Sequence, residues 1–333
     1  MAYITFFDLL GTRGFCDNSE EYYNNICLFK KAITQTSTLL IDYGNVGVFS
    51  DSAYATSTSL KHMLDFLVSL RNRLMSNGLF FNAVVKLGNL GIESINSPAS
   101  NVFGVAFKNS DIADLYIAQT KFKGIGINID DSIPDKEILD AGYEINHCVF
   151  VGRSSQSDTV NWHPVPYRDI SLKESIPSKN QQSISLEILL RTFYSSYMKA
   201  PKYGAYYISI LCNYIRSFGI NLKWDLVEKK YETVPLIFAI IEKMAKTEYE
   251  TFSMLPGFDY LIFTMLDMVY ASSTLYEQDK VSITKEYAMF DCMRKYLHDL
   301  NSIPSGIFSN DGRARFTRYC QEDFANEFIE KML

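Results

Sequence analysis

The sequence predicts an α+β fold: a mainly antiparallel sheet with helices on one face, followed by an α-helical C-terminal region. Three observations predict it. From Tyr3 to Asp131, β-prone runs alternate with helical periodicity in the order β, helix, ββ, helix, β, helix, β. Within that stretch, one segment carries a clean apolar stripe at helical spacing. From Ile184 onward, long helical runs such as "SLEILLRTFYSSYM" and "VPLIFAIIEKMAK" replace the β signals.

The elements read in order. "YITFFDLLG" is a short β run that ends in a turn, and "EEYYNNICLFKKAITQTSTLL" is helical. "YGNVGVFSDSAYATS" reads as strand, tight connection and strand, with the carboxylate of Asp51 between two serines at the tip. "SLKHMLDFLVSLRNRLMSNG" places Leu60, Met63, Leu64, Leu67, Leu70 and Leu74 on one face, and Asn77-Gly78 supply its ending. "LFFNAVVKLGNLGI" is a strand with turn residues behind it, "FKNSDIADLYIAQTK" a helix and "GIGINID" a strand. "HCVFVG" reads as one more strand, and "SLKESIPSKNQQS" as a polar linker. The expected division is therefore residues 1–135, a β extension and linker over 136–182, and a helical domain over 183–333. Its most apolar run, "YLIFTMLDMVYA", is interrupted by Asp267. A membrane span needs roughly 20 apolar residues, so the run reads as a buried helix.

Composition narrows the partners. The chain has 333 residues, 47% apolar and 21% charged, which suits more than one domain with a sizeable core. A net charge of −6 gives no general electrostatic reason to bind nucleic acid or an anionic membrane. Six cysteines stand at no CxxC spacing, so a reducing compartment without disulfides or structural zinc is expected. "MAYITFFDLLGTRGF" lacks the basic start of a signal peptide, and the expected location is the cytoplasm.

The chemistry lies in two acids. Asp8 ends the first strand at the mouth of a turn, where Gly11 lets backbone amides approach an anion. With the first strand beside the Asp51 hairpin, Asp8 and Asp51 converge on one pair of divalent ions, and hard carboxylate oxygens suit magnesium or manganese. Two such ions can bind a triphosphate, acidify a ribose hydroxyl and neutralise a leaving pyrophosphate. Singly, each acid reads as a solvated turn residue or helix cap. Together, in this order of elements, they read as metal ligands.

"FFDLLG" resembles the first metal motif of the class III nucleotide cyclases, and "FSDSAYA" their hairpin motif. The order of elements from Asp8 to Asp131 matches as well, which implies a cyclase-like core of the ferredoxin-like βαββαβ kind. More narrowly, "FFNAVVKLGNLGI", "NVFGVAF" and "GIGINID" resemble the pyrimidine cyclases of bacterial antiphage signalling, the Pycsar type. That likeness implies formation of cyclic CMP or cyclic UMP from CTP or UTP, with Asp8 and Asp51 holding two Mg²⁺ or Mn²⁺ ions and the backbone of Leu9, Leu10 and Gly11 cradling the triphosphate. It also implies a homodimer with active sites at the interface and a downstream cyclic-nucleotide effector.

The departures from the purine pattern are specific. The acid that reads adenine falls on Asn101, and the purine-reading lysine falls on Gly47, which favours a pyrimidine. The transition-state asparagine and arginine fall on Lys108 and Ile112, leaving Lys108 as the catalytic cation of this alignment. Loss of that pair favours a rival reading, a cyclase-like nucleotide sensor without catalysis, and a second rival is a helical interaction protein whose N-terminal domain only dimerises.

Overall fold

The computed structural model describes residues 2–10, 19–89, 92–96, 103–107, 110–154, 161–199, 201–219, 223–225, 230–233, 237–239, 241–242, 257–271, 277–287 and 289–290. The chain divides into two compact units, Met1–Ile145 with Arg168–Ile170, and Asn146–Tyr167 with Ser171–Leu333.

The first unit runs β1 (Ala2–Leu9), α1 (Ser19–Thr36), β2 (Gly44–Phe49), β3 (Ser52–Ser57), α2 (Leu60–Met75), β4 (Phe81–Gly88), β5 (Ile92–Asn96), β6 (Phe103–Phe107), α3 (Asp111–Lys121), β7 (Gly126–Ile129) and α4 (Asp135–Asp140). Its five-stranded sheet has the order β2-β3-β1-β4-β7. The pairs β2–β3, β3–β1 and β1–β4 are antiparallel, and β4–β7 is parallel. The path β1-α1-β2-β3-α2-β4 is the ferredoxin-like arrangement, extended by one parallel strand. The α+β class expected from the sequence is the class observed.

Strand periodicity sorts the β1 side chains between the two faces. Phe7 and Leu9 enter the core with residues of α1 and α2. There the Phe7 ring meets Phe29, Phe66 and Phe81 at steep angles, with centroids 5.8 to 6.1 Å away. Ile4, Phe6 and Asp8 take the opposite face, which is where α3 packs. The Tyr116 ring of α3 stands edge-on to Phe6 at 5.6 Å, and Gln119 Nε2 donates to Asn82 Oδ1 at 2.8 Å. The helices thus lie on both faces, and the expectation of one helical face holds for α1 and α2. The sequence of α3 has only a weak stripe, so its face is decided by the β4–β7 crossover that it bridges. A second addition is the antiparallel ribbon β5–β6, which forms a two-stranded sheet of its own among the described residues.

Helix α2 forms as its sequence predicts. Leu60, Met63, Leu64, Leu67, Leu70 and Leu74 are all buried. Ser59 caps the start by accepting from His62 N–H. Gly78, at φ 70°, closes the end, with Leu79 N–H donating to Leu74 C=O at 2.9 Å and Gly78 N–H to Met75 C=O at 3.0 Å. These two bonds form a Schellman motif.

Arg71 is also buried on α2, and a charge there needs a partner. Its Nη1 lies 3.0 Å from Asp169 Oδ1, and its Nη2 donates to Ile170 C=O. Asp169 Oδ1 also accepts from Ile127 N–H at 3.1 Å, which ties residues 168–170 to the start of β7. Gly126 makes this approach possible: it has φ +134°, and a Cβ there would stand 2.2 Å from Asp169 Oδ2.

β8 (Ile145–Ser154) matches the strand expected at "HCVFVG", and it forms a two-stranded sheet with β9 (Asn161–Ile170). Pro164 and Pro166 speak against a strand in the sequence of β9. A two-stranded sheet tolerates them because each strand keeps one edge outside the ladder. The second unit holds the helices α5 (Lys179–Lys199), α6 (Pro201–Phe218), α7 (Phe258–Ala271) and α8 (Glu277–Glu286). It also holds a short antiparallel hairpin, β10 (Lys223–Asp225) with β11 (Lys230–Thr233), which helical periodicity does not announce. The apolar run expected as a buried helix is α7, where Leu261, Ile262, Met265 and Val269 are wholly buried and Asp267 lies 3.7 Å from Arg216 of α6. Among the described residues, no helix is long and apolar enough to cross a membrane.

Removing one partner of a buried ion pair leaves the other charge uncompensated. Asp169→Ala is therefore expected to destabilise the first unit by about 3–5 kcal/mol, read as a lowered urea midpoint in equilibrium unfolding.

Candidate active site

The site begins with the register of three strands. Asp8 lies directly opposite Ser52 of β3 on one side and Asn82 of β4 on the other. This places a polar row, Ser52-Asp8-Asn82, across the face opposite the aromatic core. Asp8 is half-buried, and its Oδ1 accepts a 2.7 Å hydrogen bond from Ser52 Oγ. Asn82 is committed elsewhere: it accepts from Gln119 and donates its Nδ2 to Phe122 C=O at 3.2 Å.

The hairpin brings Asp51 to the same end of the sheet. Phe49 pairs with Ser52, so Ser50 and Asp51 are the two turn residues. Ser50 has φ 47°, the left-handed region that glycine usually fills at the first position of a type II′ turn. Two contacts hold this tip. Leu9 N–H donates to Asp51 C=O at 2.8 Å, and the Ser50 hydroxyl lies 3.2 Å from Tyr22 Oη of α1. Asp51 is half-buried, and its backbone is thus bonded to the residue that follows Asp8.

Of the residues singled out in the sequence, the structure brings together Asp8, Leu9, Leu10 and Asp51. Leu9 is buried in the core, so only its backbone faces the turn, and Leu10 N–H donates to Phe80 C=O at 2.8 Å. Leu9 and Leu10 therefore spend their amides on Asp51 and Phe80, within the fold. Gly11, Asn101 and Lys108 lie outside the described residues. Ile112 falls in the first turn of α3, and Lys86 lies opposite Ile4 on the face that Asp8 uses.

Position 47 has a definite environment. Gly47 pairs with Tyr54, and a Cβ on Gly47 would fall 2.2 Å from the Tyr54 ring. A long side chain at this position would have to displace that ring. Tyr54 is buried and lies opposite Phe6, and burial pushes its phenol above the ordinary value.

The donor set fits a hard divalent cation. Among the described residues no cluster of three histidine, cysteine or acidic side chains exists to form a closed metal cage. Two half-buried carboxylates at one sheet end match instead the way magnesium is held, by one or two carboxylates together with substrate phosphates and water. Sequence reasoning missed Ser52, Asn82 and Tyr22 as parts of this site. A signal existed for two of them: Ser52 follows Asp51 directly, and Asn82 interrupts the apolar run "FFNAVV".

No protein-family model matches the chain, and no curated protein does. Solved structures similar to it include the guanylyl cyclase Cya2, at 14% identity and a TM-score of 0.33, over 51% of this chain and 91% of that one. Another is a bacterial light-regulated adenylyl cyclase, at 12% identity and a TM-score of 0.34, over 57% of this chain and 97% of that one. A third is the adenylyl cyclase CyaB from P. aeruginosa, at 13% identity and a TM-score of 0.30, over 51% of this chain and 92% of that one. At these scores the likenesses carry no argument, and the fold rests on strand order and register.

The left-handed serine gives a direct expectation. Ser50→Gly should hold or raise the melting temperature, whereas the β-branched Ser50→Val should cost about 1–3 kcal/mol, both read by thermal denaturation.

Proposed function

We propose that the chain is a nucleotide cyclase that converts a pyrimidine nucleoside triphosphate, CTP or UTP, into the 3′,5′-cyclic monophosphate and pyrophosphate. The observation that supports this reading is the adjacency of Asp8 and Asp51 along the backbone at one end of paired strands, where Leu9 N–H donates to Asp51 C=O. Asp8 and Asp51 would hold two magnesium or manganese ions. When bound, these ions supply the charge that acidifies the 3′-hydroxyl and neutralises the pyrophosphate. The chain's own part is to keep both acids at one end of paired strands, with the hairpin tethered by Tyr22 and Ser52. Lys108 would supply a cation to the α-phosphate, Asn101 would read the base, and the backbone around Gly11 would receive the triphosphate.

The pyrimidine choice is supported by Gly47, where the purine-reading lysine of the resembled family has no room beneath the Tyr54 ring. The resemblance of the β4 to β7 segment to antiphage pyrimidine cyclases supports a messenger role in defence, a homodimeric enzyme and a separate cyclic-nucleotide effector. A second reading, a nucleotide sensor without turnover, is favoured by Ile112 standing where that family has its transition-state arginine.

One experiment tests both. The purified chain is incubated with each of the four ribonucleoside triphosphates and Mn²⁺ or Mg²⁺, and products are identified by mass spectrometry. A cyclic pyrimidine nucleotide is expected, abolished by EDTA. Asp8→Ala and Asp51→Ala should each reduce it to below about a hundredth, because losing the supporting partners of metal ligands alone costs ~10–100-fold. Turnover retained in Asp51→Ala would overturn the metal assignment, and metal-dependent nucleotide binding without product would select the sensor.

A further inference from the structure

We propose that Ser52 is a positioning residue, whose hydroxyl orients the Asp8 carboxylate and couples cation binding at Asp8 to the conformation of the hairpin that carries Asp51. The inference rests on the reading of Asp8 and Asp51 as metal ligands, and it assigns a role that this reading does not contain.

Three observations carry it. Ser52 and Asp8 are direct cross-strand partners, and the Oγ to Oδ1 distance of 2.7 Å is that of a well-formed hydroxyl hydrogen bond. Both residues are half-buried, so the bond is partly shielded from exchange with water. Asn82, the partner on the other side of Asp8, accepts from Gln119 and donates to Phe122 C=O, whereas the hairpin side of Asp8 contributes the Ser52 hydroxyl directly to the carboxylate.

The consequence is geometric. A carboxylate accepts at about four lone-pair sites, so one hydroxyl on Oδ1 does not block coordination. It helps to fix the plane of the group, which lowers the ordering that a cation has to impose on binding. Ser52 is also the residue after Asp51. A shift of the hairpin therefore moves the second acid and breaks the Ser52 bond to the first one together, and the Leu9 N–H to Asp51 C=O bond opposes that shift.

The test uses the full-length chain and Mn²⁺ alone, with unbound Mn²⁺ measured by electron paramagnetic resonance. Ser52→Thr keeps the hydroxyl, and Ser52→Val matches threonine in shape without it. Ser52→Ala removes the hydroxyl with less bulk. Ser52→Val and Ser52→Ala should each weaken Mn²⁺ binding by about 10-fold or more, the usual effect of losing a ligand's supporting partner. Ser52→Thr should bind as the unsubstituted chain does, and circular dichroism should show all three folded. Equal Mn²⁺ affinity in Ser52→Val and Ser52→Thr would overturn the positioning role, because shape alone would then suffice. Asp8→Asn and Asp51→Asn separate the two levels: both should lose Mn²⁺. Unchanged binding in both would overturn the metal site itself, and the role of Ser52 with it.

Discussion

Phe7 stands opposite Ala53 of β3 and Ala83 of β4, and that pairing governs the rest of the first unit. The two small neighbours leave room for a phenylalanine ring that meets three others in the core. Because side chains alternate along a strand, placing Phe7 inward places Phe6 and Asp8 outward. A slip by one residue would bury Asp8 among aromatic rings and expose Phe7, a change the core resists strongly. The address of Asp8 on the site face is thus set by hydrophobic packing on the other side of the sheet.

The hairpin is less comfortable. A serine at φ 47° is held against its intrinsic preference, and it sits beside the second acid. The surrounding bonds offset the strain: β3 pairs with β1 along its length, Leu9 holds the Asp51 carbonyl, and Tyr22 reaches Ser50 from α1. The tip is tethered from both the sheet and the helix, so Asp51 is held by the fold and not by its own turn alone.

Legibility differed from element to element. The α2 stripe, with its serine cap and glycine end, could be read directly, because helical periodicity and capping are local properties. The Asp51 hairpin could be read for the same reason, since β-prone runs flank a two-residue connection. β9 could not, because its two prolines oppose strand formation and only pairing with β8 overrides them. The face taken by α3 was also hidden, because a short helix with a weak stripe does not state which side of a sheet its crossover takes.

By itself the sequence determined the α+β order, the apolar face of α2 and the place of Asp8 and Asp51 beside β-prone runs, since each depends on residues close together along the chain. Tertiary structure alone decided the Ser52 to Asp8 bond, which spans 44 residues, and the Arg71 to Asp169 pair, which spans 98. In both cases the partners are hydrophilic residues with no periodic mark. Their meeting follows from strand register and burial, which exist only once the sheet has formed.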